Sequence, residues 1–176
     1  MKNVMLEYEN IKLRAPEPED LDVFYRWENN TALWPVGCTL IPYSRYDLKQ
    51  YISSSKDLYE TKQLRLVIEK KPDMEAIGTI DLYDFDPYHR RAAVGIMIDG
   101  EQQKRGLASE ALSLFGNYVF SFLKIHQLYA YIPVDNEPSR RLFARCGFHE
   151  KCILSDWLLT YEGYKDVLLV SLVSDF

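Results

Sequence analysis

The feature that most constrains the fold is a strand, a polar loop and a long amphipathic helix that follow one another between residues 92 and 122. Ala92 to Ile98 is an apolar run of strand length, and Gly100 to Gly106 is a polar loop. From Ala108 onward the apolar side chains recur every three or four residues, which places them on one face of a helix. That face consists of Ala108, Ala111, Leu112, Phe115, Val119 and Phe122. This succession indicates a mixed α/β fold.

Other segments predict the remaining elements, in the order strand, helices, three strands, helix, strand, helix and two strands. The further helices are predicted from Glu17 to Asn29, from Tyr46 to Ile52, and after Asn136, which caps a helix with Gly147 just beyond its end. Residues through Pro35 and Gly37 predict a loop. The predicted strands are Ile11–Arg14, Leu64–Glu69, Ala76–Tyr83, Ala92–Ile98, Gln127–Val134, Phe148–Leu158 and Lys165–Val173.

The length and charge of the chain exclude several function classes. Its 176 residues predict one domain spanning residues 1–176, and 26 acidic against 21 basic side chains argue against a nucleic-acid partner. The longest apolar run, Val167 to Val173, is far shorter than the roughly 20 residues of a membrane helix. The cysteines and histidines are too widely spaced for a disulfide framework or a metal site; they are Cys38, Cys146, Cys152, His89, His126 and His149. We therefore expect a cytoplasmic protein without a metal and without a membrane partner.

The loop before the long helix has the properties of a diphosphate-binding site. Successive N–H groups and the positive end of the helix dipole converge at a strand–loop–helix junction. Gly106 allows a ligand close to the backbone, while Lys104 and Arg105 add positive charge. Neither G-x-x-x-x-G-K-[S/T] nor G-x-G-x-x-G is present, which excludes two common phosphate-binding loops. By itself the segment is also compatible with an ordinary polar loop before a helix.

A second motif, from Asn136 to Phe148, supports the binding interpretation. Together the two motifs resemble the GNAT superfamily of acyl-CoA-dependent N-acetyltransferases. The family loop [Q/R]-x-x-G-x-[G/A] and helix N-x-x-[A/S]-x-x-L-[Y/F]-x-x-x-G-F are matched by Gln103, Gly106, Ala108, Asn136, Ser139, Leu142, Phe143, Gly147 and Phe148. Within the superfamily the chain is most similar to the subgroup of spermidine and ribosomal-protein N-terminal acetyltransferases.

The resemblance implies a central mixed, mostly antiparallel sheet that splays at two parallel strands and is flanked by helices. Acetyl-CoA would lie between the strands Ala92–Ile98 and Gln127–Val134. The implied cofactor-binding residues are Met97, Ile98, Gln103, Lys104, Arg105, Gly106, Leu107, Ala108, Asn136 and Ser139. Met97 and Ile98 would bind the pantetheine through their backbone.

The acetyl group would pass directly to a primary amine in a ternary complex, and the acceptor would be a polyamine, another small amine or a peptide N-terminus. The resemblance is also compatible with a homo-oligomer.

Two proton transfers are left open by the sequence. Many family members carry a tyrosine that protonates the departing thiolate, but here that position is Phe143, which we interpret as core packing. Cys146, Tyr131 or water could serve instead. Asp81 and Asp84 are candidates for binding or deprotonating the amine, with ordinary exposed carboxylates as the alternative.

Two further considerations concern the acceptor and turnover. The segment Trp34–Gly37 lacks the acidic residues that usually follow a tryptophan in spermidine acetyltransferases, which weakens the polyamine interpretation. The missing tyrosine at Phe143 also raises an alternative function, an acyl-CoA-binding regulatory module without turnover.

Overall fold

Seven strands form one sheet in the part of the chain that the computed structural model describes, residues 5–37, 39–54, 57–103 and 105–174. The strands are β1 (Ile11–Arg14), β2 (Leu64–Lys70), β3 (Glu75–Asp86), β4 (Arg91–Ile98), β5 (Gln127–Pro133), β6 (His149–Thr160) and β7 (Gly163–Val173). Their order across the sheet is β1-β2-β3-β4-β5-β7-β6, and neighbouring strands are antiparallel except β4 and β5, which are parallel. The predicted mixed, mostly antiparallel sheet is confirmed.

Helices cover both sides of this sheet. They are α1 (Leu21–Glu28), α2 (Trp34–Gly37), α3 (Arg45–Ser53), α4 (Leu58–Thr61), α5 (Leu107–Ser121) and α6 (Glu137–Arg145), with short 3₁₀ turns at Pro18–Asp20, Thr31–Leu33 and Gly100–Gln102. No helix in the described ranges is both long enough and apolar enough to cross a membrane.

The helices α5 and α6 lie on one side of the sheet, which we call the α5 face. Leu112 and Phe115 of α5 share the main hydrophobic core with Ile80, Leu82 and Val94 of the sheet. Their side chains are almost completely buried. Because the apolar stripe of α5 has helical spacing and the strand residues alternate, the two elements bury matching faces.

The helices α1 and α3 lie on the opposite side, which we call the α1 face. Phe24 and Trp27 of α1 and Leu48 of α3 form a second core with Val67 of β2, and Met97 packs against it from β4. This core covers the sheet near the end of β4 that carries Met97.

Several sequence predictions differ from the structure at element ends. The predicted helix from Glu17 begins instead with a 3₁₀ turn, and its α-helical part starts at Leu21. The predicted loop through Pro35 is wrong, because Trp34–Gly37 forms a helical turn fixed by a hydrogen bond from Trp34 Nε1 to the carbonyl of Glu28 (2.8 Å).

Two other differences concern helices farther along the chain. The helix α4 was not predicted, although Asp57 caps it by accepting from the N–H groups of Tyr59 (2.7 Å) and Glu60 (3.0 Å), which is a recognisable signal. Phe122 was expected on the apolar face of the long helix. The helix ends at Ser121, so Phe122 is 60% exposed instead.

Candidate active site

The strands β4 and β5 lie side by side over a short distance and then separate. Their parallel pairing covers residues 91–93 of β4 and 127–129 of β5. Beyond it β4 continues to Ile98 and β5 continues to Pro133. We call the space between residues 94–98 and 130–133 the gap. The sheet therefore opens at its parallel pair, as the family resemblance implied.

Alternate residues of β4 direct their backbone groups into the gap. The carbonyl oxygen of Arg90 accepts a hydrogen bond from the N–H of Gln127 (3.2 Å). In an extended strand the backbone groups of every second residue point to the same side. Val94, Ile96 and Ile98 therefore present N–H and C=O groups to the gap, where the pairing with β5 has ended.

The two residues predicted to bind pantetheine through their backbone differ in direction. The carbonyl oxygen of Met97 lies against β3, 2.1 Å from the position that a Cβ on Gly78 would occupy. The backbone of Met97 is thus turned away from the gap, contrary to the prediction. The backbone of Ile96 has the orientation that was predicted for Met97. The carbonyl of Ile98 does face the gap side and accepts a hydrogen bond from Gln103 Nε2 (3.0 Å).

The loop before α5 has the backbone conformation of a ligand-binding turn. Gly106 is the N-cap with φ of +77°, a left-handed conformation that favours glycine, and a Cβ built there would meet open space. The first helical N–H donors are those of Ser109 (3.1 Å) and Glu110 (3.2 Å), and both donate to the carbonyl of Gly106. The N–H groups of Leu107 and Ala108 precede these bonds, so they point out of the helix end.

The other loop residues are placed differently. Leu107 is 7% exposed and anchors the helix in the core, whereas Gln103 and Arg105 are exposed at the loop surface. Lys104, also predicted to bind the cofactor, lies outside the described residues.

The second motif forms the start of α6, next to the end of β5. Asn136 caps this helix, because its Oδ1 accepts a hydrogen bond from the N–H of Ser139 (3.2 Å). Asn136 also lines a cavity of about 290 Å³ between the end of β5, the segment containing Pro35 and the β6–β7 hairpin. At the end of α6, Gly147 has φ of +86°, as a glycine after a helix does.

The two candidate aspartates occupy different environments. Asp81 lies in β3 on the α1 face, and both of its carboxylate oxygens bind the Arg65 guanidinium (Oδ1–Nε 2.5 Å, Oδ2–Nη2 3.2 Å). Glu28 of α1 binds the same guanidinium from the other side. Asp84 is exposed at an irregular part of β3 and has a positive φ. The structure thus brings Asp81 near the gap as part of an ion cluster and leaves Asp84 at the surface.

Sequence reasoning missed the row of residues that connects this cluster to the gap. The strand registers align Arg65 with Asp81 and Asp81 with Gly95. Tyr131 stands two residues beyond the last β4–β5 pair, as Gly95 does on the other side of the gap. Oppositely charged residues at matching alternate positions of two predicted strands, 65 and 81, were a signal that could have revealed the row.

The residues considered for protonating the leaving thiolate are also separated by the fold. Phe143 is 3% exposed and makes an edge-to-face contact with Phe148 (4.9 Å between ring centroids), which confirms that it is core packing. The Cys146 thiol contacts Ser113 Oγ (3.6 Å) and the Ser109 carbonyl (3.7 Å) on α5, and burial raises its pKa. Tyr131 lies on β5 at the edge of the gap.

No cluster of three or more metal-ligating side chains occurs among the residues that the structure describes. The site is built instead from backbone groups at an opened parallel pair and from a helix N-terminus, which is the arrangement of an acyl-CoA-dependent acetyltransferase. The acetyltransferase (GNAT) domain family matches residues 10–149, and the chain belongs to that family. The prediction of an N-acetyltransferase is thereby confirmed.

Relatives of both kinds in the predicted subgroup are found. The spermidine N(1)-acetyltransferase of Escherichia coli is 30% identical over 79% of this chain and 73% of its own length. The ribosomal-protein-serine acetyltransferase of the same species is 23% identical over 85% of this chain and 80% of its own. The spermidine N-acetyltransferase of Vibrio cholerae, solved with CoA and spermine, superposes with a TM-score of 0.82 at 27% identity and covers 93% of this chain and 95% of that one.

Proposed function

We propose that this protein transfers the acetyl group of acetyl-CoA directly to a primary amine while both substrates are bound. The observation that carries this proposal is the gap between β4 and β5, which begins after residues 93 and 129. It exposes the edge of a strand on one side and leads to the N-terminus of α5 at Gly106 on the other. A long, doubly charged molecule with a peptide-like arm suits both features.

The chain has groups that fit each part of acetyl-CoA. The N–H groups at Gly106, Leu107 and Ala108 would hold the diphosphate, with charge from Arg105 and from Lys104. The backbone of Ile96 and Ile98 would hydrogen-bond the pantetheine arm like an additional strand. Asn136 and Ser139 would bound the arm from the β5 side. Acetyl-CoA supplies the activated acyl group; the fixed N–H dipoles of the chain would polarise its carbonyl.

The amine would approach from the α1 face, because α5 and α6 fill the α5 face. Asp81 would attract the ammonium group, and Asp84 would contribute negative charge near the entrance. A lysine-like amine, with a pKa of about 10.4, costs roughly 4–5 kcal/mol to deprotonate at pH 7, and a peptide α-amine costs only about 1 kcal/mol. The E. coli relatives, by name, act on spermidine and on a ribosomal protein.

The proposal extends to the size and assembly of the enzyme. We propose that residues 1–176 act as one catalytic domain. The Vibrio cholerae relative has a dodecameric structure, and we infer that this chain also forms a homo-oligomer.

One observation favours a second candidate, an acyl-CoA-binding regulatory module. Phe143 occupies the position of a proton donor in many family members and is buried in the core, where it has no proton to give. Proximity and orientation supply much of the rate of acyl transfer, so we place turnover first.

The test is to incubate the protein with acetyl-CoA and a panel of amines while measuring CoA and acetylated product by mass spectrometry. Because Cys152 is exposed, a thiol-reactive dye alone would need an enzyme blank. Acetylated product with any amine supports the transferase. Tight CoA binding by calorimetry, with no product from polyamines, monoamines or peptides, would instead establish the regulatory module.

A further inference from the structure

An aromatic wall borders the gap on the α1 face. Tyr131 of β5 stacks against Trp157 of β6, with ring centroids 6.2 Å apart and planes at 22°. Tyr129 meets Tyr131 edge-to-face at 5.6 Å. Trp157 is 58% exposed and Tyr131 is 36% exposed. We call Tyr129, Tyr131 and Trp157 the aromatic wall. Two large, stacked and accessible rings at this place form a surface that can receive a flat group.

An irregularity in β6 places Trp157 in the wall. The pairing of β6 with β7 shifts between Leu154 and Leu158, so that β6 has extra residues there. Within this bulge Asp156 has φ of +51°, and its N–H donates a hydrogen bond to Asp166 Oδ1 (2.9 Å). Asp166 is therefore a positioning residue, because it holds the bulge that brings the tryptophan over Tyr131.

The wall lies across the gap from a glycine. Gly95 of β4 and Tyr131 of β5 are each two residues beyond the last paired residues, Ala93 and Tyr129. The nearest atom to a Cβ built on Gly95 is the Tyr83 ring, 3.6 Å away. The missing side chain therefore leaves space between Asp81 on one side and Tyr131 on the other, at the level where the gap opens.

The chain itself balances part of the negative charge around this space. Glu28 and Asp81 share the guanidinium of Arg65. Asp135 and Glu162, which line the neighbouring cavity, share the ammonium of Lys165 (2.6 and 3.4 Å). Each pair of carboxylates therefore retains about one negative charge, which one ammonium group can balance. The two residual charges and Asp84 attract any ammonium group, but only an amine with an aromatic or other apolar body gains from the wall in addition.

We propose that the preferred acceptor is a monocationic primary amine with an aromatic group close to the amine, and that Trp157 and Tyr131 determine this preference. The ring would stack on the wall while the nitrogen reaches past Gly95 toward the gap. Cation–π attraction would assist the ammonium form before it loses its proton. This inference rests on the proposed transferase function and names its substrate class.

The experiment compares kcat/KM for four probes: tryptamine, 2-phenylethylamine, butylamine and spermidine. We expect the two arylalkylamines to exceed butylamine by about three- to tenfold, the amount that an aromatic contact contributes. In the variant Trp157→Ala this ratio should fall to about one, and Trp157→Phe should restore part of it. Leu159→Ala is the matched control, because Leu159 is equally exposed on β6 (62%) but faces Tyr164 outside the wall.

A second set of substrates distinguishes two sources of such an amine, a peptide N-terminus and a free metabolite. Short peptides that begin with Phe carry an aromatic ring beside the α-amine, whereas peptides that begin with Gly carry none. A Phe/Gly ratio that also falls in Trp157→Ala supports the inference with a peptide as the source, and a preference confined to the small amines supports it with a free metabolite as the source.

The outcomes against the inference are separate from those against the proposed function. Turnover that is highest with spermidine, or an aromatic preference unchanged in Trp157→Ala, overturns the inference and leaves the transferase intact. Absence of product with every amine and peptide, despite CoA binding, overturns both.

Discussion

The two faces of the sheet differ most where the strands separate. On the α5 face, helices cover the sheet with fully buried apolar side chains such as Leu112 and Phe115. On the α1 face, the same strands carry Asp81, Gly95 and Tyr131, which are partly exposed or lack a side chain. Neighbouring residues of a strand point to opposite faces. Each of these strands therefore contributes side chains to the core on the α5 face and to the candidate site on the α1 face. The difference indicates that changes on the α5 face act on stability and changes on the α1 face act on the acceptor.

The largest expected effect is on the packed side. Phe115→Ala should lower the free energy of unfolding by about 3–5 kcal/mol, since it leaves a cavity under the sheet. Urea unfolding followed by circular dichroism measures this. A matched change on the same helix, Asn117→Ala, replaces an exposed residue and should stay within about 0.5 kcal/mol. Equal effects of the two variants would contradict the assignment of the faces.

The Arg65 cluster is the exception that links stability to the α1 face. Arg65→Gln leaves Glu28 and Asp81 beside each other without a shared cation, at side-chain exposures of 21% and 25%. We expect a loss of about 2–3 kcal/mol, below the value for a fully buried pair because water reaches these groups. Arg65→Lys keeps the charge but not the two-pronged contact, so it should lose less. Thermal unfolding of both variants and of the wild type tests this. A melting temperature of Arg65→Gln equal to that of the wild type, or equal to that of Arg65→Lys, would refute the expectation.

A second ion cluster on the α1 face, far from the gap, should make stability depend on acid. Burial raises the pKa of Asp20, but hydrogen bonds from Arg14 and from the Glu17 N–H outweigh burial and hold the pKa below its ordinary value. The stabilisation is therefore complete above about pH 4 and is lost as pH falls through the lowered pKa.

Asp20→Asn isolates this contribution. The variant should lose roughly 1–3 kcal/mol at neutral pH, the cost of a buried polar group that keeps only part of its bonds. Its stability should decline less steeply than that of the wild type below about pH 4. The free energy of unfolding of both proteins can be measured with urea at several pH values between 2 and 5. If it falls equally steeply with pH in the variant and in the wild type, Asp20 is not the responsible group.

Substitution of Gly106 distinguishes an effect on CoA binding from an effect on stability. Gly106→Ala should cost about 1–2 kcal/mol of stability because of its positive φ. It should also weaken CoA binding by about tenfold or more, since a methyl group enters the space next to the N–H groups. Gly147→Ala has a similar φ (+86°) and a Cβ in ordinary contact, so it should lose similar stability with unchanged CoA affinity. Calorimetric titration with CoA measures both variants, and a normal affinity in Gly106→Ala would disprove the loop assignment.

The smallest effect is expected at Cys146, on the packed side. A general acid contributes about 10²- to 10⁴-fold to the rate, and we expect Cys146→Ala to change kcat by less than about threefold because its thiol contacts α5. Tyr131→Phe keeps the ring of the aromatic wall but removes the hydroxyl, so a larger loss of kcat there would identify the donor at the gap. A large loss of kcat in Cys146→Ala, with no loss in Tyr131→Phe, would instead identify Cys146 as the donor.

Local patterns were sufficient for much of the fold. The apolar spacing of α5, the cap at Asn136 and the glycine at position 147 specify structure through neighbours in the chain, and each is present where it was predicted. Errors occurred where distant contacts decide the conformation. The helical turn at Trp34 depends on a hydrogen bond to the carbonyl of Glu28, which no local pattern indicates.

The site shows the same division. The glycine of the loop was identified from its motif, because a tight turn before a helix is a local property. Met97 was assigned to the gap although its backbone faces β3, since the direction of a strand residue depends on the register with its neighbours. Arg65, Gly95 and Trp157 were not identified, because only strand pairing brings them near Asp81 and Tyr131.

The sequence alone determined the family through its two motifs, and the resemblance to that family implied the mixed sheet. The glycine turn before α5 was likewise predictable, because it is a property of a short stretch of chain. The tertiary structure decided which residues face the gap and which carboxylates are neutralised. The physical reason is that strand register and side-chain alternation bring together residues that are far apart in the chain, and charges and rings interact only over the few ångströms that the fold sets.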